Sequence, residues 1–198
     1  MAAESQSASD PIGAGGLEAF DPALDHFARL GLERGWRIDR DALEDNYLDR
    51  SSQVHPDRHA SADAATRRAA LEHSAALNEA YRALRDPVAR AEYLVKLGGV
   101  DLDSSDPETG APHPEQAFLI EMIERRERLD EVAAAGDDAI AELRDEVDEE
   151  IEAVFNAALD ALEADAASDQ RARAAAAKLV HRRYLQRFLD EIDALADA

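Results

Sequence analysis

Six histidines, at positions 26, 55, 59, 73, 113 and 181, are the first residues to consider for moving a proton or holding a metal ion. Their spacing favours neither. No His-Glu-x-x-His pair, glycine-rich phosphate loop or Gly-x-Ser-x-Gly elbow occurs anywhere in the chain. His55 and His59 are four residues apart, but Pro56 between them spoils the helical face that a metal pair would share. With 44 carboxylates in 198 residues, paired acids arise by chance and mark nothing. Cysteine is absent, which excludes disulfides, thiolate zinc sites, thiol catalysis and a cysteine-ligated cluster on this chain. No catalytic residue, metal ligand or cofactor site is expected, and the chain does not read as an enzyme. What remains is the tripeptide His55-Pro56-Asp57, which gains meaning only from the elements on either side of it.

Those elements are helical. Ala, Leu, Glu and Arg dominate, all good helix formers, and long runs rich in Val, Ile and Thr are lacking. Residues 1–22, rich in Ser, Ala, Gly and Asp, read as a flexible tail, followed by a short helix from about Asp25 to Leu30 ending near Gly31. A helix capped by Asp39 should run to about Val54, with Leu43, Tyr47, Ser51 and Val54 on one face. Pro56 ends it, because proline disfavours helical geometry in the residue before it. Ser61 can cap a further helix to about Arg85, where Leu77, Ala80, Tyr81 and Leu84 form a stripe. Asp86-Pro87 punctuates it before another turn or two carrying Ala91, Tyr93 and Leu94. Two antiparallel helices joined by a tight, proline-containing loop are thus expected from pattern alone.

Residues 98–113, with Gly98, Gly99, Pro107, Gly110 and Pro112, read as a linker. Three helical patterns follow, at about 114–134, 137–164 and 169–195, joined near Gly136 and Ser168 by connections short enough for antiparallel neighbours in a bundle. The charge divides along the same line: residues 23–97 carry 13 acids against 12 bases, residues 98–198 carry 27 against 10. The net charge of −22 argues against nucleic acid as a partner. No apolar stretch approaches the roughly 20 residues that span a membrane, and neither a secretory nor a transit signal is legible, so a cytoplasmic location is expected.

An HPD loop between two amphipathic helices, with Tyr47 before it, is the layout of a J-domain, and the segment from Asp25 to Leu97 resembles one throughout. Asn78-x-Ala80-Tyr81-x-x-Leu84 and Pro87-x-x-Arg90-Ala91-x-Tyr93-Leu94 resemble more particularly the HscB family of iron–sulfur co-chaperones. Ala117-Phe118-Leu119-Ile120-Glu121 and Arg126-Glu127-x-Leu129-Asp130-Glu131 are similar to the start of that family's C-terminal domain. The resemblance implies an all-α protein: a tail (1–22), a J-domain hairpin (23–97), a linker (98–113) and a C-terminal three-helix scaffold-binding domain (114–197). It implies two protein partners, an HscA- or DnaK-like ATPase chaperone and an IscU-type scaffold, and a monomer is the expected state. On the J-domain, His55, Pro56 and Asp57 would meet the ATPase, with Pro56 fixing the loop and Arg50, Arg58 and Tyr47 in support. The basic patch common on the helix before the loop is diluted here by Asp49, Ser51, Ser52 and Gln53, although Arg40 and Arg50 remain.

On the C-terminal domain the resemblance places the scaffold on Leu119, Ile120, Ile123, Glu124, Glu127 and Glu131, with Tyr184 as the expected aromatic. Geometry agrees independently, since Ile120, Ile123, Glu124, Glu127 and Glu131 fall at i, i+3, i+4, i+7 and i+11, one continuous stripe. The simpler alternative is that Leu119, Ile120 and Ile123 belong to a broad core stripe. As a whole, the competing readings are a generic J-protein serving unfolded clients and a purely structural bundle. The first lacks the Gly/Phe-rich, cysteine-rich or β-rich client regions it would need, and the second leaves the HPD loop unexplained.

Overall fold

The structure, a computed structural model, describes residues 12–13 and 16–196. Its elements are two strands of two residues each, β1 (Ile12–Gly13) and β2 (Gly16–Leu17), and eight helices. The helices are α1 (His26–Arg29), α2 (Arg40–Val54), α3 (Ala64–Arg85), α4 (Pro87–Leu97), α5 (Gln116–Glu127), α6 (Leu129–Ala135), α7 (Asp137–Glu163) and α8 (Ser168–Ala196). The fold is all-α, and it divides into two compact units between Arg90 and Ala91, within α4.

In the first unit, α2 begins where Asp39 accepts from the Asp41 and Ala42 amides at 2.9 and 3.2 Å, leaving fewer orphan donors at the helix start. The cap of α3 is Asp63, not Ser61: its carboxylate accepts the Thr66 amide at 2.7 Å, and that bond holds its pKa below the usual carboxylate value. Ser61 and Ala62 belong to the preceding turn, in which Ala62 N–H reaches His59 O at 3.0 Å. Leu43 and Val54 of α2 and Leu77, Ala80 and Leu84 of α3 are buried with Phe27 and Leu30. The Tyr81 ring instead stacks on Tyr47 at the rim of this core, with centroids 4.1 Å apart. Asp86 caps α4 through the Ala89 amide at 2.7 Å, with Pro87 at the first helical position, where its missing N–H costs nothing. Arg90 is buried by donating to Leu84 O at 2.6 Å and lying 4.3 Å over the Trp36 ring.

Residues 1–11 of the expected tail lie outside the described residues, but 17–22 have partners. His73, buried on α3, hydrogen-bonds Glu18 O at 3.0 Å and meets Phe20 edge-on, while Arg29 lies 4.8 Å over the Phe20 ring. A composition of small polar residues gives no local sign of these contacts, which depend on a histidine 55 positions away.

In the second unit α7 and α8 form the main antiparallel pair, and α5 and α6 complete a core of Met122, Ile140, Val147, Ile151, Leu185, Phe188, Leu189 and Ile192. The helix expected over 114–134 is interrupted at Arg128, where α5 gives way to α6, although the hydrogen bonds continue through it (Val132 N to Arg128 O, 3.1 Å). Residues 98–113 have the composition of a linker but are secured to α8. Arg183 donates to Glu92, Asp103 and Leu102 O at 2.9, 2.8 and 3.3 Å, and Val100 is buried.

Gly98 sets the approach of this segment to α8. A Cβ there would lie 2.4 Å from Ala172 Cβ and 3.3 Å from Ser168 O. Gly98→Ala is therefore expected to destabilise the protein by about 1–3 kcal/mol, the usual cost of overpacking. Denaturant unfolding of a double-mutant cycle with Ala172→Gly should show the two changes compensating, because removing the opposing methyl restores the space.

Candidate functional site

The last turn of α2 ends in a buried anchor, Val54, and His55 leaves the helix in an extended conformation (φ −58°, ψ 128°), as a residue before proline favours. Pro56–His59 form a single 3₁₀ turn. The carbonyls that α2 leaves unpaired at its C-terminus are taken up by that turn: Arg58 Nη1 donates to Ser52 O and His59 Nε2 to Gln53 O, each at 3.0 Å. A guanidinium at this end also suits the helix dipole. The turn is thus secured by Arg58 and His59, while the side chains of His55 and Asp57 stay 57% and 92% exposed. His55 Nδ1 accepts the Asp57 amide at 3.3 Å, which places the proton of the neutral ring on Nε2, pointing away as a donor. Beside it the Asp57 carboxylate, 3.7 Å from Nδ1, is an acceptor. A donor and an anion fixed side by side on a rigid turn can grip a polar, cationic surface but cannot by themselves make or break a bond.

The other expected residues of this site turn inward. Tyr47 donates to Asn78 Oδ1 at 2.7 Å and stacks on Tyr81, whose hydroxyl bonds Glu44, so it ties α2 to α3. Arg50 donates to Arg29 O at 2.6 Å, and with Asn46, which donates to Leu30 O at 2.9 Å, it closes the end of α1. Its guanidinium occupies the space a side chain at Gly31 would need (φ +67°). Tyr47→Phe is expected to lower stability by about 1 kcal/mol through the lost hydrogen bond, measurable by thermal unfolding. Two exposed leucines of the hairpin, Leu48 and Leu71, were not singled out from the sequence. Both lie off the core stripes, and that displacement was the available signal.

The C-terminal face assembles on α5. Ile120 and Ile123 are 47% and 54% exposed, large aliphatic side chains with no place in the core, while Phe118 and Met122 turn inward. Leu119 is half-buried beside them, partly withdrawn from solvent where the two isoleucines are not. Glu124, Glu127 and Glu131 are exposed and in no ion pair among the described residues. The irregularity at Arg128 falls within this stripe, between Glu127 on α5 and Glu131 on α6. Phe118 stacks on His181 (4.1 Å) and meets Tyr184 edge-on (5.9 Å), which fixes Tyr184 beside the N-terminal end of α5. Burial, with the charge of Lys178 adding to it and Glu115 opposing, holds the His181 pKa below its ordinary value and favours the neutral ring against Phe118.

Among the described residues no cluster of three or more His, Asp or Glu is placed to hold a metal, and no helix is long and apolar enough to cross a membrane. Comparison with known proteins accounts for both halves of the chain. Residues 25–93 match the DnaJ domain, and residues 114–193 match the HSCB C-terminal oligomerisation domain. The chain is 37% identical over 174 residues to the co-chaperone protein HscB homolog of Burkholderia vietnamiensis, covering 85% of this chain and 92% of that protein. It is 42% identical over 132 residues to the homolog of Bordetella avium, 67% and 76% of the two chains.

The chain belongs to the HscB family.

Two solved HscB structures share its fold. Human HscB superposes with a TM-score of 0.71 at 27% identity, covering 91% of this chain and 86% of that one. HscB from Vibrio cholerae gives 0.66 at 26% identity, covering 88% and 98%. Membership of the HscB family makes this protein a co-chaperone with a J-domain, which implies an Hsp70-type partner; proteins of this family are regulators rather than catalysts.

Proposed function

We propose that this HscB-family protein binds an IscU-type scaffold on the face made by Leu119, Ile120, Ile123, Glu124, Glu127, Glu131 and Tyr184. It delivers the scaffold to an HscA- or DnaK-like chaperone and stimulates that chaperone's ATPase through His55, Pro56 and Asp57, so that the scaffold's iron–sulfur cargo passes on. Arg58 flanks the loop, and Tyr47 and Arg50 act by holding the hairpin that presents it. The J-domain role belongs to 23–97 and the scaffold role to 114–197.

The observation that carries this reading is the solvent exposure of Ile120 and Ile123 beside Glu124, Glu127 and Glu131, which are in no ion pair among the described residues. An apolar pair rimmed by acids is suited to a protein partner that is apolar and basic where it touches. We assign the protein to the cytoplasm and to a monomeric state, since a charge of −22 opposes self-association. Sedimentation equilibrium tests the latter against the oligomerisation in the matched domain's description.

The test of function is the steady-state ATPase of an HscA-type chaperone from the same source, measured with this protein, with the scaffold, and with both. Synergy between the two supports the proposal. Stimulation indifferent to the scaffold would favour a generic J-protein, and no stimulation would remove the role of the loop for this chaperone.

A further inference from the structure

The isoleucine stripe is one of two recognition features that α5 presents. Where α5 gives way to α6, a groove of about 310 Å³ opens against α7 and α8. Its floor is apolar, formed by Val132, Leu143, Val147 and Phe188, the last two buried in the core of the bundle. Its rim is charged. Arg125 is committed there, donating to Glu150 and Glu121 at 2.6 Å each, and it contributes no free cation. Glu124 and Glu146 are exposed on the rim and in no ion pair among the described residues; Arg128 opposes them with one positive charge. Counting Glu121, Glu124, Glu146 and Glu150 against Arg125 and Arg128, the site is acidic, and it lies in a stretch (98–198) that carries 27 acids against 10 bases. Such a cleft has the shape and charge for an aliphatic side chain with a cation beside it. Its volume sits at the bottom of the roughly 300–1,000 Å³ range of small-molecule sites.

The groove adjoins the proposed client face. Residues 121, 124, 125 and 128 line it, while 120, 123, 124, 127 and 131 form the isoleucine stripe. On a helix of 3.6 residues per turn the two lie roughly a quarter-turn apart and share Glu124. We infer that the groove receives one large aliphatic side chain of the client scaffold, carried next to a lysine or arginine that pairs with Glu146 and Glu124. The groove then supplies a second anchor, at an angle to the isoleucines, and fixes the orientation in which the client is held. This inference rests on the reading of the α5 face as the client surface.

The experiment is a titration of the purified IscU-type scaffold into the full-length protein and its Glu146→Lys, Val132→Phe and Ile123→Ala variants at low and moderate salt. Glu146 is exposed, so its reversal leaves the fold intact, and circular dichroism of all variants checks this. Glu146→Lys is expected to weaken binding roughly tenfold at low salt and less at moderate salt, as a charge contact is screened. Val132→Phe, which fills the groove, should weaken it comparably at both. Loss in Ile123→Ala with unchanged affinity in both groove variants would overturn the groove and leave the α5 face standing. Unchanged affinity in all three would overturn both.

Discussion

Replacing His55 with glutamine is expected to reduce this protein's stimulation of its partner ATPase by about thirtyfold or more, to near background, while leaving its folding and scaffold binding unchanged. A residue that anchors an interface contributes about 2 kcal/mol or more when removed, which corresponds to that factor. The imidazole is a suitable anchor because it is largely exposed and its recorded contacts are two long ones to Asp57, the amide at 3.3 Å and the carboxylate at 3.7 Å. The turn itself is secured elsewhere, by Arg58 on Ser52 O and His59 on Gln53 O, so glutamine should leave the backbone in place. Single-turnover ATP hydrolysis with wild-type and His55→Gln protein measures the effect, and thermal unfolding of the variant supplies the control. A variant that stimulated normally would take the loop out of the mechanism.

The second large effect is expected from the isoleucines. Ile123→Ala, alone or with Ile120→Ala, should weaken binding of the scaffold by roughly 10–100-fold, the 1.5–3 kcal/mol typical of burying such a side chain fully. Both residues are about half exposed in the free protein, so truncation removes little that stabilises the bundle. Stimulation of the ATPase by the protein alone should persist and only the added effect of the scaffold should vanish. That pattern, the reverse of the one expected for His55, would place the two activities on different parts of the chain. Retained synergy in the double variant would mean that the client binds elsewhere.

Much of this was legible because the relevant signals are local. Asp39 before an amphipathic run, Pro56 after it and Asp86-Pro87 at the next boundary each act on their immediate neighbours, and the structure uses all of them. The exposed stripe on α5 was legible for the same reason, since helical spacing alone separates Ile120 and Ile123 from Phe118 and Met122. The features that escaped depend on distant partners. The loop over 98–113 is held by arginines some 65–81 residues away from their partners, and no composition rule anticipates that. Arg50 reads as a free cation on its helix until α1, 21 residues earlier, presents a carbonyl to it. The choice of Asp63 over Ser61 as a cap followed from where the preceding turn closed, which the two residue types alone do not decide.

The capping of α2 by the loop's own Arg58 and His59 bears on how an encounter with the chaperone proceeds. Because Arg58 and His59 hold the turn that carries His55-Pro56-Asp57, the proposed contact would leave little conformational freedom to lose, and two small side chains could suffice for a useful affinity. Association should then be limited by collision rather than by a folding step, with complexes that part quickly. For the proposed role of handing over a client and leaving, a short-lived grip from a rigid turn would serve better than a tight one.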